Sequence, residues 1–385
     1  MALQVVSSAA SSTLVLCIGF AAGMQLGKIA PLVGRLQADL GISLTFAGWL
    51  TSLLGLFVAL AAYPAARMVA RIGATRSLLA SALVMIGGAV ALGLSQSPTT
   101  LVMSRGVEAA GYVVMVIAAP AYLVTFSPVH MRSLFLALWG SFVPVGYALA
   151  NLQVALLPVS WSLEWTLLTF AAPMAALLML AIFVSPADAV PSKQAPVTPA
   201  PIPSAGLALA IAFGLYVYLS IGFFTFLPEY ISTLETGHAV SAPLVAICVP
   251  LGSFATAALL KGPSSNRPRI LAIAGFVAAA LAACLLYSSV NFDILAMPVY
   301  AFAGGMAASS IFALIPCVAV TEAAAASVVG AVAQCGGIAT LIGPPIAGFL
   351  AETYGWHAVG WSLAGVSLIG ACLILVANVL AARRG

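Results

Sequence analysis

Apolar runs of about twenty residues recur from one end of this sequence to the other, and most of its charged residues gather in the short turns between them. At 1.5 Å of rise per residue, about 20 apolar residues carry a helix across the ~30 Å of hydrocarbon in a bilayer. Lipid offers no partner for exposed N–H and C=O groups, so each run must close its backbone hydrogen bonds within itself, as helix. Twelve runs qualify, at roughly 11–31, 45–68, 74–95, 99–124, 134–157, 164–184, 205–228, 240–260, 269–290, 294–319, 325–350 and 357–380. They predict an all-α membrane protein with twelve transmembrane helices in a lipid bilayer. A soluble fold is excluded, because only 6% of the 385 residues are charged against 63% hydrophobic. That is too little polar surface to keep a chain of this size dissolved.

The few charges set the expected orientation. With both termini inside, Arg67, Arg71, Arg76, Arg132, Lys193, Lys261, Arg267, Arg269, Arg383 and Arg384 all fall on the cytoplasmic side, and only Arg35 lies in an outer loop. Basic residues concentrate in cytoplasmic loops, so a multi-pass protein of the cell inner membrane with both termini cytoplasmic is expected. The outer loops carry acids, among them Asp39, Glu164, Asp293 and Glu352. Trp161, Trp165 and Trp356 stand at outer helix ends, where indoles settle at the interface. No basic residue precedes Lys28, so no cleavable signal peptide is expected. The formal charge of +4 sits in turns and predicts no nucleic-acid partner.

Catalytic and metal chemistry find no foothold. Cys17, Cys248, Cys284, Cys317, Cys335 and Cys372 lie within apolar runs without a C-x-x-C pair, and read as small core residues. His130, His238 and His357 fall in turns or at a span end. Neither an H-E-x-x-H motif nor a phosphate-binding G-x-x-x-x-G-K-[ST] loop occurs. The expectation is therefore no enzyme, no cofactor and no metal.

The segment Ser185–Pro203 is rich in Pro, Ala and Ser and reads as a cytoplasmic linker between two six-helix bundles, residues 1–184 and 204–385. The bundles repeat in sequence. Pro31 corresponds to Pro228, Arg76 to Arg269, Pro120 to Pro316 and Trp165 to Trp356, at offsets of 197, 193, 196 and 191 residues. Similar offsets at anchors in four different helices point to duplication.

The stretch Leu101–Tyr112 breaks the rule that charges stay in loops. It sets Arg105 and Glu108 three residues apart, on one face of a span. A charge at mid-membrane costs about 2.5–3.5 kcal/mol on insertion scales and marks a pathway or a substrate site by default. Span 1 adds Gln25 and Lys28, its only strongly polar side chains beyond residue 14, beside a Gly19, Gly23, Gly27 stripe suited to close helix packing. Rise per residue places Lys28 about 5 Å, Arg105 about 9 Å and Glu108 about 13 Å below the outer face. Two readings of Lys28 stay open: it joins the pair, giving a net-positive site, or it snorkels to the interface. The pair itself is either a site or an inert buried ion pair. The second half offers no mirror, since aligning Pro316 on Pro120 sets Ala301 and Gly304 opposite Arg105 and Glu108. It supplies aromatics and neutral groups instead, including Tyr216 and Tyr300, with Gln334 in span 11.

The turn after span 2, Ala66-Arg-Met-Val-Ala70-Arg71-Ile-Gly73-Ala-Thr-Arg76, resembles the G-x-x-x-D-[RK]-x-G-[RK]-x-[RK] signature of the major facilitator superfamily. Arg71, Gly73 and Arg76 fit this gating loop. Ala66 and Ala70 replace its first Gly and its Asp, so gating that depends on that Asp is not implied here. Arg105-x-x-Glu108 resembles the family's span-4 motif, and Gly343-Pro344-Pro345 its span-11 kink. Lys28 after Gly27, together with Ala137-Leu-Trp139-Gly140 and Pro144-Val-Gly146, is similar to the cyanate-permease-like branch. Span 5 lacks the G-P-x-x-G of drug antiporters.

The resemblance implies two bundles rocking about a central site lined by the first, fourth, seventh and tenth helices. The function expected is symport by a monomer: secondary transport of a small anion with a proton. Gln25, Lys28, Arg105, Tyr112, Tyr216, Tyr300 and Gln334 would bind the solute, and Glu108 would carry the proton. A proton-driven efflux antiporter and a non-transporting receptor on the same fold are the alternatives.

Overall fold

The computed structural model describes residues 2–128, 131, 135, 138–184, 201–234, 242–260, 266–287, 293–319 and 322–382. Most of the expected linker lies outside the described residues, as do His130, Arg132, Ala137, Lys193, His238, Lys261, Arg383 and Arg384. Among the described residues every regular element is helical. Among the described residues eleven stretches are long and apolar enough to cross a membrane. The fifth expected span is helical over Phe142–Leu156, 15 residues.

The chain forms two compact units, Met1–Ile42 with Leu53–Gln194 and Ser43–Ser52 with Ala195–Gly385. The first contains α1 (Ala2–Gly27), α2 (Val33–Leu40), most of α3 (Leu44–Ile72), α4 (Ala74–Gly93), α5 (Pro98–Phe126), α6 (Phe142–Leu156), α7 (Leu163–Leu168) and α8 (Ala171–Val184). The second contains α9 (Ser204–Ser232), α10 (Ala242–Leu259), α11 (Arg267–Leu286), α12 (Asp293–Val318), α13 (Glu322–Tyr354) and α14 (Trp356–Ala382).

Two of the expected spans are interrupted, and proline explains both. Span 1 ends as an α-helix at Gly27, passes through Lys28–Ile29 and a 3-10 turn at Ala30–Leu32, and resumes as α2. Pro31 has no N–H for the Gly27 carbonyl, and its ring crowds that carbonyl. Span 6 breaks at Thr169–Phe170, between α7 and α8. Pro173 cannot serve the Thr169 carbonyl, which instead accepts the Ala172 N–H at 3.1 Å.

Inside the first unit, α1 lies along α6, and α4 along α5. The glycine stripe of α1 is the contact surface. A Cβ at Gly19 would run into the Trp139 ring, one at Gly23 into the Phe142 carbonyl, and one at Gly27 would stand 2.9 Å from Tyr147 Cα. From the other side, a Cβ on Gly146 would land on the Gly23 backbone. The second unit repeats these pairings: α9 lies along α13, α11 along α12, and α14 covers α9 and α11 as α8 covers α1 and α4. The repeat inferred from sequence offsets is thus also a repeat of packing.

The cysteines depart from expectation. Cys317 and Cys372 are exposed and the other four are half-buried; all six are free. An apolar run in a membrane protein is apolar on its lipid side too, so hydrophobic surroundings in sequence do not imply a core position.

Candidate functional site

The sharpest local departure from an apolar interior lies in the first unit, where the C-terminal end of α1 meets the first third of α5. Gln25, Lys28, Arg105 and Glu108 are all at most 1% exposed. The Lys28 ammonium donates to Glu108 Oε1 and, at 2.9 Å, to Gln25 Oε1. Arg105 Nη1 donates to Glu108 Oε2 at 2.7 Å and to the Gln25 backbone carbonyl at 2.7 Å. Gln25 Nε2 donates in turn to the Phe170 carbonyl at 2.6 Å, at the junction of α7 and α8. The Phe170 ring lies 6.0 Å from Lys28 Nζ, within cation–π range.

Each part of this arrangement follows from the chain. The i, i+3 spacing puts Arg105 and Glu108 on one face of α5. The helix break before Pro31 leaves the Gln25 carbonyl at the last turn of α1, where a helix carries partial negative charge and favours a cation. Glu108 fits because α4 presents Gly88: a Cβ there would stand 2.5 Å from Glu108 Cγ and 2.6 Å from its backbone nitrogen. Two cations and one carboxylate give the cluster a formal charge of +1, offset by the carbonyl of Gln25, its Oε1 and the ring of Phe170. Lys28 therefore joins the pair and does not reach for an interface.

Tyr112 lies one turn beyond Glu108 on α5, 5% exposed, its ring 6.4 Å from that of Phe142. Gly88 and Phe170 belong to the cluster and were not identifiable from sequence. A glycine pair in a span and a phenylalanine beside a turn have many commoner explanations.

The second unit contains a small cavity. Tyr216, Ser220, Phe224, Tyr300, Ala301 and Gly304 are among its walls, and the Tyr300 hydroxyl donates to the Leu219 carbonyl at 3.2 Å. The offset of 196 that carries Pro120 to Pro316 also carries Arg105 to Ala301 and Glu108 to Gly304, while the offset of 197 that carries Pro31 to Pro228 carries Lys28 to Thr225. The cavity thus occupies the register of the Arg105–Glu108 pair. Gln334 is exposed on α13 and is not part of its wall.

The expected gating turn joins α3 to α4. Gly73 there has φ +98° and ψ 150°, a conformation reserved for glycine, and its N–H and C=O bond to Val69 and Ser77. Arg71 and Arg76 flank it and are exposed.

The Major Facilitator Superfamily family model matches residues 15–338. The chain belongs to that superfamily. No curated protein sequence matches this superfamily member. Solved structures do, at the level of fold. A bacterial homologue of the human lysosomal transporter Spinster, in an inward-facing and occupied conformation, superposes with a TM-score of 0.78 at 14% identity, over 95% of this chain and 96% of that one. The nucleoside transporter NupG gives 0.72 at 16% identity, over 95% and 99%. The human organic anion transporter MFSD10 (TETRAN) gives 0.68 at 15% identity, over 96% and 99%. The chain is a multi-pass transporter-fold protein and not an enzyme. The match is to the superfamily as a whole.

Proposed function

We propose that this superfamily member is a proton-coupled secondary transporter of a small anion, a symporter in which Lys28 and Arg105 receive the solute and Glu108 carries the proton. One observation carries the reading: two cations share a single carboxylate, all three fully buried inside one helical unit. An inert ion pair needs one cation. The second is an expense that an apolar interior does not bear without use. Gln25 has its amide and its carbonyl engaged, so its role is to hold the two cations and not to touch the solute. Tyr112, one turn beyond Glu108, would supply neutral surface to the solute, while Tyr216 and Tyr300 line a separate cavity within the second unit. The basic turns favour an inner-membrane protein with both termini cytoplasmic, and nothing in the reading calls for more than a monomer.

Proteoliposomes with an imposed pH gradient, loaded for counterflow against a panel of small anions, test this directly. Arg105→Ala should abolish uptake while the protein remains inserted. Glu108→Gln should lose proton-driven accumulation and keep exchange of internal for external solute. Wild-type uptake by Arg105→Ala would remove the receiving role of the cations.

A further inference from the structure

Glu108 is itself a carboxylate laid across two cations. One oxygen faces the Lys28 ammonium and the other the Arg105 guanidinium, in a space that Gly88 leaves open from the side of α4. From this we infer that Glu108 is a tethered stand-in for the solute, and that the solute is a small monocarboxylate that takes its place between Lys28 and Arg105. The inference rests on the anion-transport reading and narrows it to one chemical class.

Three features support that class. The two cations grip two oxygens of one flat group, which a halide cannot offer and a carboxylate reproduces. The seat is closed to solvent: Lys28, Arg105 and Glu108 are all 0% exposed, with the end of α1 and α4 packed against them. Charge also balances. Before exchange the cluster holds two cations and one anion. A monocarboxylate between the cations, with a proton on the released Glu108, leaves the same +1. A dianion would change the buried charge, which an apolar interior penalises. The stand-in keeps both cations partnered whenever the solute is absent.

The test uses the purified chain in detergent, followed by tryptophan fluorescence during heating. Glu108→Ala vacates the seat, and the variant is titrated with sodium formate and sodium acetate, against chloride and sulfate at matched ionic strength. Formate and acetate should raise its unfolding temperature saturably, by about 3 °C or more. The wild-type protein, whose seat is filled, should gain less than about a third of that shift, and Arg105→Met added to Glu108→Ala should remove it. Equal shifts with chloride or sulfate would overturn the monocarboxylate assignment and leave the anion-transport reading standing. No shift with any anion would overturn both. If Glu108→Ala does not fold, Glu108→Ser, which also vacates the seat, takes the same titration, and the same outcomes support or overturn the assignment.

Discussion

If Arg105 is stabilised mainly by Glu108, the two residues should be strongly non-additive, and the size of that coupling follows from the geometry. Arg105 Nη1 reaches Glu108 Oε2 at 2.7 Å with both side chains 0% exposed, so no water is available to replace a lost partner. Breaking a buried pair from one side costs about 3–5 kcal/mol, chiefly because the survivor stays charged and unpartnered. In the Glu108→Gln background the guanidinium has already lost its counter-ion, and arginine keeps its charge even then. Replacing it there by an isometric apolar residue removes an uncompensated cation, so Arg105→Met should cost little or even stabilise.

The expected coupling is at least about 2 kcal/mol, within the range for residues in one ion network. At roughly 2–3 °C per kcal/mol for a folding unit of this size, that is about 4–6 °C between measured and additive melting temperatures. The assay is a four-protein thermal unfolding cycle in low-salt buffer, so that no small anion fills the vacated position. Equal costs of Arg105→Met in both backgrounds, within about 0.5 kcal/mol, would show that Glu108 is not what stabilises the guanidinium.

Two further substitutions probe the frame that holds the cluster. Gly146→Ala places a methyl on the Gly23 backbone. It should push α1 from α6, with a cost of about 1–3 kcal/mol seen as a lower melting temperature and poorer monodispersity on gel filtration. Gly73→Ala imposes a side chain at φ +98° and should destabilise by about 1–3 kcal/mol. Because the strain sits in the turn and not in the cluster, binding measured by the formate titration of Glu108→Ala should be unchanged when Gly73→Ala is added.

Most of the fold was legible because a bilayer enforces it: runs long enough to span are helices, and the offsets of Pro31, Arg76, Pro120 and Trp165 reveal the repeat. The Arg105–Glu108 pair was legible too, because charge stands out in an apolar run and i, i+3 spacing decides the face. The partner of Lys28 was not. Residues 28 and 108 meet only because α1 stops at Gly27, and the effect of Pro31 on one carbonyl does not say which side chain will fill the gap. The hub role of Gln25 was hidden for the same reason, as its partners come from three different segments. The cysteines misled in the opposite direction, since lipid and protein core look alike to a hydropathy pattern.

The second unit's cavity has a consequence for how such a chain varies. Ala301 and Gly304 hold the register that Arg105 and Glu108 hold in the first unit. A duplicated bundle therefore keeps one copy under electrostatic constraint and leaves the corresponding place in the other as a blank of adjustable volume. Enlarging or shrinking a residue at 301 or 304 alters a shape without unbalancing a buried charge. Changes of shape are therefore borne more readily at those positions than at the ionic positions of the first copy.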